Sequence, residues 1–373
     1  MTSATPVTII GAGKIGGSIA KLLAFTQDYQ VTVLDTQLSA LEHLSRCAPV
    51  ITHHLAPHDS LRDLLLDQHA VIAATAFDQN ASIALAALEA GVSYFDLTED
   101  VATTLAIRKI AKSAKAGQIF MPQCGLAPGF VGILAHDMAQ RFDRVDTVKM
   151  RVGALPQYPS NAMKYNLTWS TDGLINEYCN QCEAIKHGRA ILVQALEGLE
   201  HFSLDGLEYE AFNTSGGLGT LCETWAGQIA NMDYKTVRYV GHRDLMDFVI
   251  NGLKMGATPE KRQQLKYILE ESVPITFQDV VLIFVTASGQ INGQFRQITD
   301  ARKIYHCELF GELWSAIQLT TAASAAAVLD MHCRGMLPTQ GFVAHDTVKL
   351  PDFLANRFGQ YYAIDRYAQE VPV

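Results

Sequence analysis

Through the first 125 residues, short β-branched runs alternate with amphipathic stretches. The runs are VTII at 7–10, VTVLD at 31–35, AVIAAT at 70–75, SYFDL at 93–97 and QIFMP at 118–122. The stretches between them predict helices near 14–26, 37–46, 80–90 and 101–116, with one more strand near 49–51 and a short helix over 59–66. Strand, helix, strand at this spacing predicts right-handed crossovers and a parallel sheet covered on both faces. Beyond residue 130 the rhythm changes. A helix, VGILAHDMAQRF, leads into longer strands: DTVKMRVGA (146–154), MKYNLTW (163–169), DYKTVRYV (233–240) and QDVVLIFVTASGQINGQF (278–295). Ser288-Gly289-Gln290 and Asn292-Gly293 supply turn chemistry for a hairpin or a bulged pair. With helices near 243–254 and 259–271, this half predicts an α+β domain with a largely antiparallel or mixed sheet. From 313 to 334 runs a small-residue helix, whose Ala and Ser positions suit close packing against a domain face.

A chain of 373 residues exceeds one ordinary core, so two domains are expected. Half its residues are apolar, which fits a globular enzyme, and a net charge of −9 with no basic stripe argues against nucleic-acid partners. No apolar run reaches the roughly 18 residues needed to span a bilayer. The N-terminus enters a strand directly, without a basic secretory region. Seven scattered cysteines (Cys47, Cys124, Cys179, Cys182, Cys222, Cys307, Cys333) suit reduced thiols in a cytoplasm.

Gly11-Ala12-Gly13-Lys14-Ile15-Gly16 follows the first strand and opens a helix, and Asp35 ends the next strand. Strand, glycine turn, helix and acidic residue at these offsets are the dinucleotide fingerprint. Gly11 suits the tight turn, Gly13 lets the pyrophosphate approach the backbone, and Gly16 lets helix and strand pack closely. The pyrophosphate would rest on the helix N-terminus. Asp35 is suited to the ribose hydroxyls and would repel a 2′-phosphate; Thr36 and Gln37 bring no arginine, so NAD is expected over NADP. Thr75, Ala76 and Phe77 at the end of the fourth strand, Thr98 after the fifth and Cys124 after the sixth are expected along the cofactor crevice. Glu99 and Asp100 read equally well as crevice residues or helix caps.

GAGKIG, the turn CGLAPG, MKYNLTWSTDGLINEY (163–178), AFNTSGGLGTLCETW (211–225) and YKTVRYVGH (234–242) together resemble the saccharopine dehydrogenase family, within it the lysine 6-dehydrogenase branch. The resemblance covers nearly the whole chain; TLCETW and the CNQC insert depart from it. It implies a Rossmann-like domain over 1–125, a substrate and oligomer domain over 126–315, and a C-terminal helical segment, 316–373, returning to the first domain. It also implies oxidation of a carbon–nitrogen bond with NAD or NADP as hydride acceptor, and a homodimer formed through the central sheet.

Amine oxidation requires a neutral nitrogen and a C–H held over the nicotinamide, and an amino-acid substrate requires a cation for its carboxylate. On a strand, Tyr234, Thr236 and Arg238 share one face, while Lys235, Val237 and Tyr239 share the other. The first face reads as a substrate wall, with Arg238 gripping a carboxylate or forming a structural ion pair. Tyr234, Lys235 (a desolvated base) and His242 (a proton acceptor, or else a capping histidine) are the candidate catalytic residues. Ser170 is suited to cap a helix opening at Thr171, whose free N–H groups suit a carboxylate. Asn213, Thr214, Ser215, Gly216 and Gly217 read as a polar loop, closing over substrate or lying on the surface. Cys179 and Cys182 lack a second ligand pair and read as ordinary thiols, His53-His54 reads as a loop, and no metal is expected. Larger substrates of the saccharopine or carboxynorspermidine type would need a second arginine, for which Arg151 is the candidate. A cofactor-binding sensor without turnover is the reading from another class. MPQCGLAPGFVG (121–132) is expected to form the hinge into the second domain, with Cys124 as a wall of the nicotinamide region and not a nucleophile.

Overall fold

A computed structural model of the chain describes residues 4–364. Its described residues form two compact units, one from 4–133 and 320–364, the other from 134–319. Residues 365–373, the end of the expected C-terminal helical segment, lie outside the described residues, as do 1–3.

In the first unit, strands β1 (Thr5–Ile10), β2 (Tyr29–Asp35), β3 (Ile51–His54), β4 (Ala70–Ala73), β5 (Ser93–Asp96) and β6 (Ile119–Met121) are all parallel. Val7, Thr8, Ile9 and Ile10 are all buried, as in a strand covered on both faces. The sheet order is β6-β5-β4-β1-β2-β3, so the chain reverses direction across the sheet between β1 and β4. Helices Lys14–Ala24, Leu38–Cys47, Phe77–Ala90 and Val101–Ala111 make the crossovers. Three local expectations are corrected. β4 stops at Ala73, so Phe77 opens a helix instead of closing a strand. The helix expected over 101–116 ends at Ala111. His53 and His54 lie on β3, not in a loop.

The second unit holds β7 (Arg144–Pro156), β8 (Cys182–Lys186), β9 (Arg189–Val193), β10 (Glu200–Leu204), β11 (Leu207–Asn213), β12 (Asn231–Tyr239), β13 (Asp279–Ile291) and β14 (Gln294–Tyr305). They form a mixed sheet of order β10-β11-β12-β7-β13-β14, with β8 and β9 branching from β12. Only β12 and β7 run parallel among the described pairs. β15 (Cys307–Leu309) and β16 (Glu312–Trp314) form a separate hairpin. Asn292-Gly293 is a two-residue turn with φ of 52° and 73°, the type I′ geometry that its sequence predicts, and the register slips between Ser288 and Gly289. The expected strand over 163–169 is absent. Lys164 sits at φ 49°, Asn161 donates to the Tyr165 carbonyl at 2.6 Å, and a single bridge joins Leu167 to Ile275. The apolar alternation there instead sends Tyr165 and Leu167 into this unit's core with Leu174, Tyr178 and Phe212.

The chain passes between units inside two helices, Phe130–Gln140 and Ala316–Cys333. The turn at 125–129 therefore belongs to the first unit. Its Gly129 has φ 134°, and a Cβ there would sit 2.0 Å from the Gly125 carbonyl oxygen, so no other residue closes this turn. The C-terminal segment is not purely helical, because β17 (Gly341–Phe342) adds a parallel strand beside β6. Asp330 anchors this segment by accepting from the Tyr29 hydroxyl at 2.7 Å, Arg357 at 2.6 Å and Asn356 at 2.7 Å. No helix among the described residues is long and apolar enough to cross a membrane.

Candidate active site

At the carboxyl edge of the parallel sheet, Gly11 turns at φ 108° where a Cβ would meet the Ala74 carbonyl oxygen at 2.5 Å. A Cβ on Gly16 would lie 1.9 Å from the Gly11 carbonyl oxygen, so that position holds the helix against its own strand. Gly13 differs: nothing lies within 4 Å of its Cβ position. It caps helix Lys14–Ala24 with no side-chain hydrogen bond and no acidic residue in the first turn. The N–H groups of Lys14, Ile15 and Gly16 at this uncapped, open end fit an anionic pyrophosphate. Asp35 closes the far side, accepting from the Ala12 N–H at 2.5 Å and the Gln37 N–H at 2.7 Å. Its carboxylate therefore holds the glycine turn as well as facing it.

Across the switch point, Thr75 and Ala76 form the loop after β4 and Phe77 begins the next helix. Thr98 accepts from the Asp100 N–H at 3.1 Å, and Asp100 caps helix Val101–Ala111 by accepting from the Thr103 N–H at 2.7 Å. Asp100 thus has the capping role. The residue that organises this edge is Asp96, a strand-ending carboxylate with no motif around it in the sequence. Fully buried at the end of β5, it accepts from the Tyr94 hydroxyl at 2.8 Å and from the Thr98 and Gln123 N–H groups at 3.0 Å each. Burial raises its pKa to about 6 against those donors. Cys124 donates its thiol to the Met121 carbonyl at 3.0 Å, and burial, then the Asp96 charge, push its pKa well up. A thiol so placed is no nucleophile.

In the second unit the two faces of β12 have separate roles. On one face, Arg151 pairs with Glu200 and, at 2.7 Å, with Asp233, while the Lys235 ammonium reaches Glu200 at 2.9 Å and the Gly198 carbonyl at 2.5 Å. Lys235 is thereby a member of a sheet ion network and not a base. Arg151, saturated by two carboxylates, is not a second substrate arginine.

On the other face Arg238 is buried and donates through Nε to the Tyr178 hydroxyl at 3.0 Å and through Nη1 to the Val237 carbonyl at 2.8 Å. Its guanidinium lies over the Tyr165 ring, 4.9 Å from the centroid. It makes no salt bridge among the described residues; the buried carboxylate of Glu177 acts on it only through space. The Tyr178 hydroxyl is 3.1 Å from His242 Nε2, and His242 Nδ1 is 3.0 Å from the Met163 carbonyl. A carbonyl only accepts, so Nδ1 carries the proton and Nε2 accepts from Tyr178. Burial, then the Arg238 charge, lower the His242 pKa to about 3. His242 is therefore a neutral, buried link that orients Tyr178, not the proton acceptor expected from its position after the strand. Tyr178 and Tyr165 sit in a segment conspicuous in sequence but carry no local signal of this role, which depends on a fold that brings them 60 or more residues to Arg238.

Tyr234 and Thr236 share Arg238's face. Thr236 and Thr214 hydroxyls meet at 2.8 Å, and burial, then Glu177's charge, raise the Tyr234 phenol, keeping it protonated. Gly217 packs flat on the Tyr234 ring, where a Cβ would intrude to 2.3 Å. Thr214 and Ser215 are buried, with the Ser215 N–H donating to the Glu177 carbonyl at 3.1 Å, so 213–217 is not a surface loop. Ser170 caps helix Thr171–Cys179 by accepting from the Gly173 N–H at 3.2 Å, and Thr171 is buried in its first turn. Cys179 ends that helix and Cys182 opens β8, both with pKa raised by burial.

The open parallel sheet, the uncapped glycine turn and the acidic end of β2 define a dinucleotide-binding α/β protein. Residues 7–121 match the saccharopine dehydrogenase NADP binding domain, and residues 125–358 match the saccharopine dehydrogenase C-terminal domain. The chain belongs to the saccharopine dehydrogenase family and is an NAD(P)-binding oxidoreductase. Among solved structures, apo histidine-tagged saccharopine dehydrogenase (L-Glu forming) from Saccharomyces cerevisiae shares its fold, with a TM-score of 0.77 at 15% identity over 98% of both chains. A DAP dehydrogenase from C. glutamicum in complex with DAP gives 0.48 at 12% identity, over 99% of this chain and 100% of that one. A myo-inositol dehydrogenase from Corynebacterium glutamicum gives 0.45 at 12% identity, over 91% and 90%.

Proposed function

We propose that the chain is an NAD-dependent amino-acid dehydrogenase that oxidises a carbon–nitrogen bond, of the lysine 6-dehydrogenase type. One observation carries the choice of substrate class: Arg238 is buried without a salt bridge among the described residues, whereas Arg151 is saturated. A buried guanidinium lacking a contacting counter-ion suits an incoming carboxylate. One such arginine matches a substrate with one α-carboxylate; a saccharopine-like substrate carries more, and Arg151 is spent.

When bound, the nicotinamide accepts the hydride. Gly11, Gly13, Lys14, Ile15, Gly16 and Asp35 hold the dinucleotide, with Thr75, Ala76, Phe77, Thr98 and Cys124 along its course. Asp35 disfavours a 2′-phosphate, which supports NAD over the NADP of the family description. In the second unit, Tyr178 fixes the Arg238 fork through Nε, and neutral His242 fixes Tyr178 in turn. Tyr234, a protonated phenol, lines the polar wall with Thr236, Thr214 and Thr171. The same reading carries a homodimer, which sedimentation of the purified protein would measure.

The test is reduced-cofactor absorbance with lysine or saccharopine and NAD or NADP. Reduction with lysine and NAD is expected; reduction with saccharopine alone would move the assignment to the saccharopine type. Tight NAD binding with no reduction by any amine would leave a cofactor-binding sensor.

A further inference from the structure

Gln123 stands two residues beyond β6, at the carboxyl edge of the parallel sheet. It is 3% exposed and adopts φ 65°, a left-handed conformation uncommon outside glycine and asparagine. The fold imposes that conformation from both sides. The Gln123 N–H is held by Asp96 Oδ1 at 3.0 Å, and the next N–H, of Cys124, by the Asp96 carbonyl at 2.8 Å. Yet its side-chain Oε1, buried, has no hydrogen-bond partner among the described residues. An orphaned buried acceptor is costly, and a fold that also holds its backbone in a disfavoured region has placed that acceptor for a donor supplied from outside. In a sheet of this order the pyrophosphate lies over the β1 turn and the nicotinamide extends towards the ends of β4, β5 and β6. The ligand group available there with an N–H to give is the carboxamide.

Resting on the dinucleotide reading above, we infer that Gln123 Oε1 accepts a hydrogen bond from the nicotinamide carboxamide. Gln123 is then a cofactor-positioning residue that sets the rotation of the ring, and so the face offered for hydride transfer. It discriminates a carboxamide from groups lacking an N–H.

Calorimetric titration with three probes tests this: NAD, its 3-acetylpyridine analogue (a methyl ketone in place of the carboxamide) and ADP-ribose, which has no ring. The wild-type protein is expected to bind NAD about five- to tenfold more tightly than the analogue, the loss of one neutral hydrogen bond. Gln123→Met should bind the two alike and bind ADP-ribose as the wild type does. Gln123→Asn tolerates the left-handed backbone but withdraws the acceptor by one methylene, and should lose the discrimination equally. Discrimination that survives in both variants would overturn the inference, as would a parallel loss of ADP-ribose affinity, which would make Gln123 a residue of the fold. A wild-type protein that binds NAD and ADP-ribose without discriminating the analogue refutes the Gln123 role alone. One that binds none of the three refutes the dinucleotide reading beneath it.

Discussion

Two arginines on opposite faces of one strand pair carry the division of labour at the residue scale. Arg151 meets Glu200 and Asp233, and Arg238 meets only neutral groups. Arg238→Met should therefore lower kcat/KM for a carboxylated amine by about 100-fold, the scale of a lost charge-assisted contact. An amine without a carboxylate should be turned over as before, and NAD affinity should not change; equal losses on both amines would make Arg238 structural. Cys124→Ser gives a second expectation. The Cys124 thiol is a protonated donor to Met121, so steady-state turnover should stay within about twofold. An inactive variant that still binds NAD would restore the nucleophile. The glycine turn and Arg238 were legible in sequence because their chemistry is local to strand, turn and face. The partners of Lys235 and His242 were not, since Glu200 and Met163 lie 35 and 79 residues away and decide those roles.

At the scale of elements, the same glycine turn separates packing from binding. A Cβ at position 16 would collide with backbone, whereas one at position 13 meets no atom within 4 Å. Gly16→Ala should lower the stability of the first unit, read as a drop in its melting temperature. Gly13→Ala should melt as the wild type does but bind NAD at least about tenfold more weakly, because the methyl stands where the pyrophosphate approaches. A Gly13→Ala protein with normal NAD affinity would show that the phosphates lie elsewhere. The parallel half was readable from alternation of period-two and helical runs. The hairpins β8–β9 and β10–β11 were not expected, yet they carry turn chemistry: His187-Gly188 and Asp205-Gly206 have φ of 50° and 79°, and 52° and 76°, the same type I′ pair as Asn292-Gly293. Their strands are short and half exposed, so hydrophobic alternation was weak where the X-Gly pairs were informative. The segment 163–169 failed in the opposite way, with strand-like alternation and no neighbouring strand to pair with.

Over the whole molecule, the boundaries expected at 125 and 315 fall just before helices Phe130–Gln140 and Ala316–Cys333, and the passages occur inside them. Helical periodicity continues through such a crossing, so nothing in the pattern marks it. All three tryptophans, Trp169, Trp225 and Trp314, lie in 134–319, so tryptophan fluorescence reports that unit. Its stability should depend on His242. An unfolded histidine takes a proton below about pH 6.5, while buried His242 stays neutral to about 3. Below 6.5 the unfolded chain thus binds the extra proton, and stability, fully present above that pH, is lost as pH falls towards 3. Glu200, held low by Arg151 and Lys235 against its burial, acts in the same sense at lower pH, and Glu183, raised by burial and Glu223, opposes it there. Between pH 7 and pH 5 the His242 contribution alone is about 2 kcal/mol. Urea unfolding followed by tryptophan fluorescence should show that loss in the wild type. In His242→Gln, whose amide can still donate to Met163 and accept from Tyr178, most of the pH dependence should vanish whatever its stability at pH 7; an undiminished loss would mean that another group titrates.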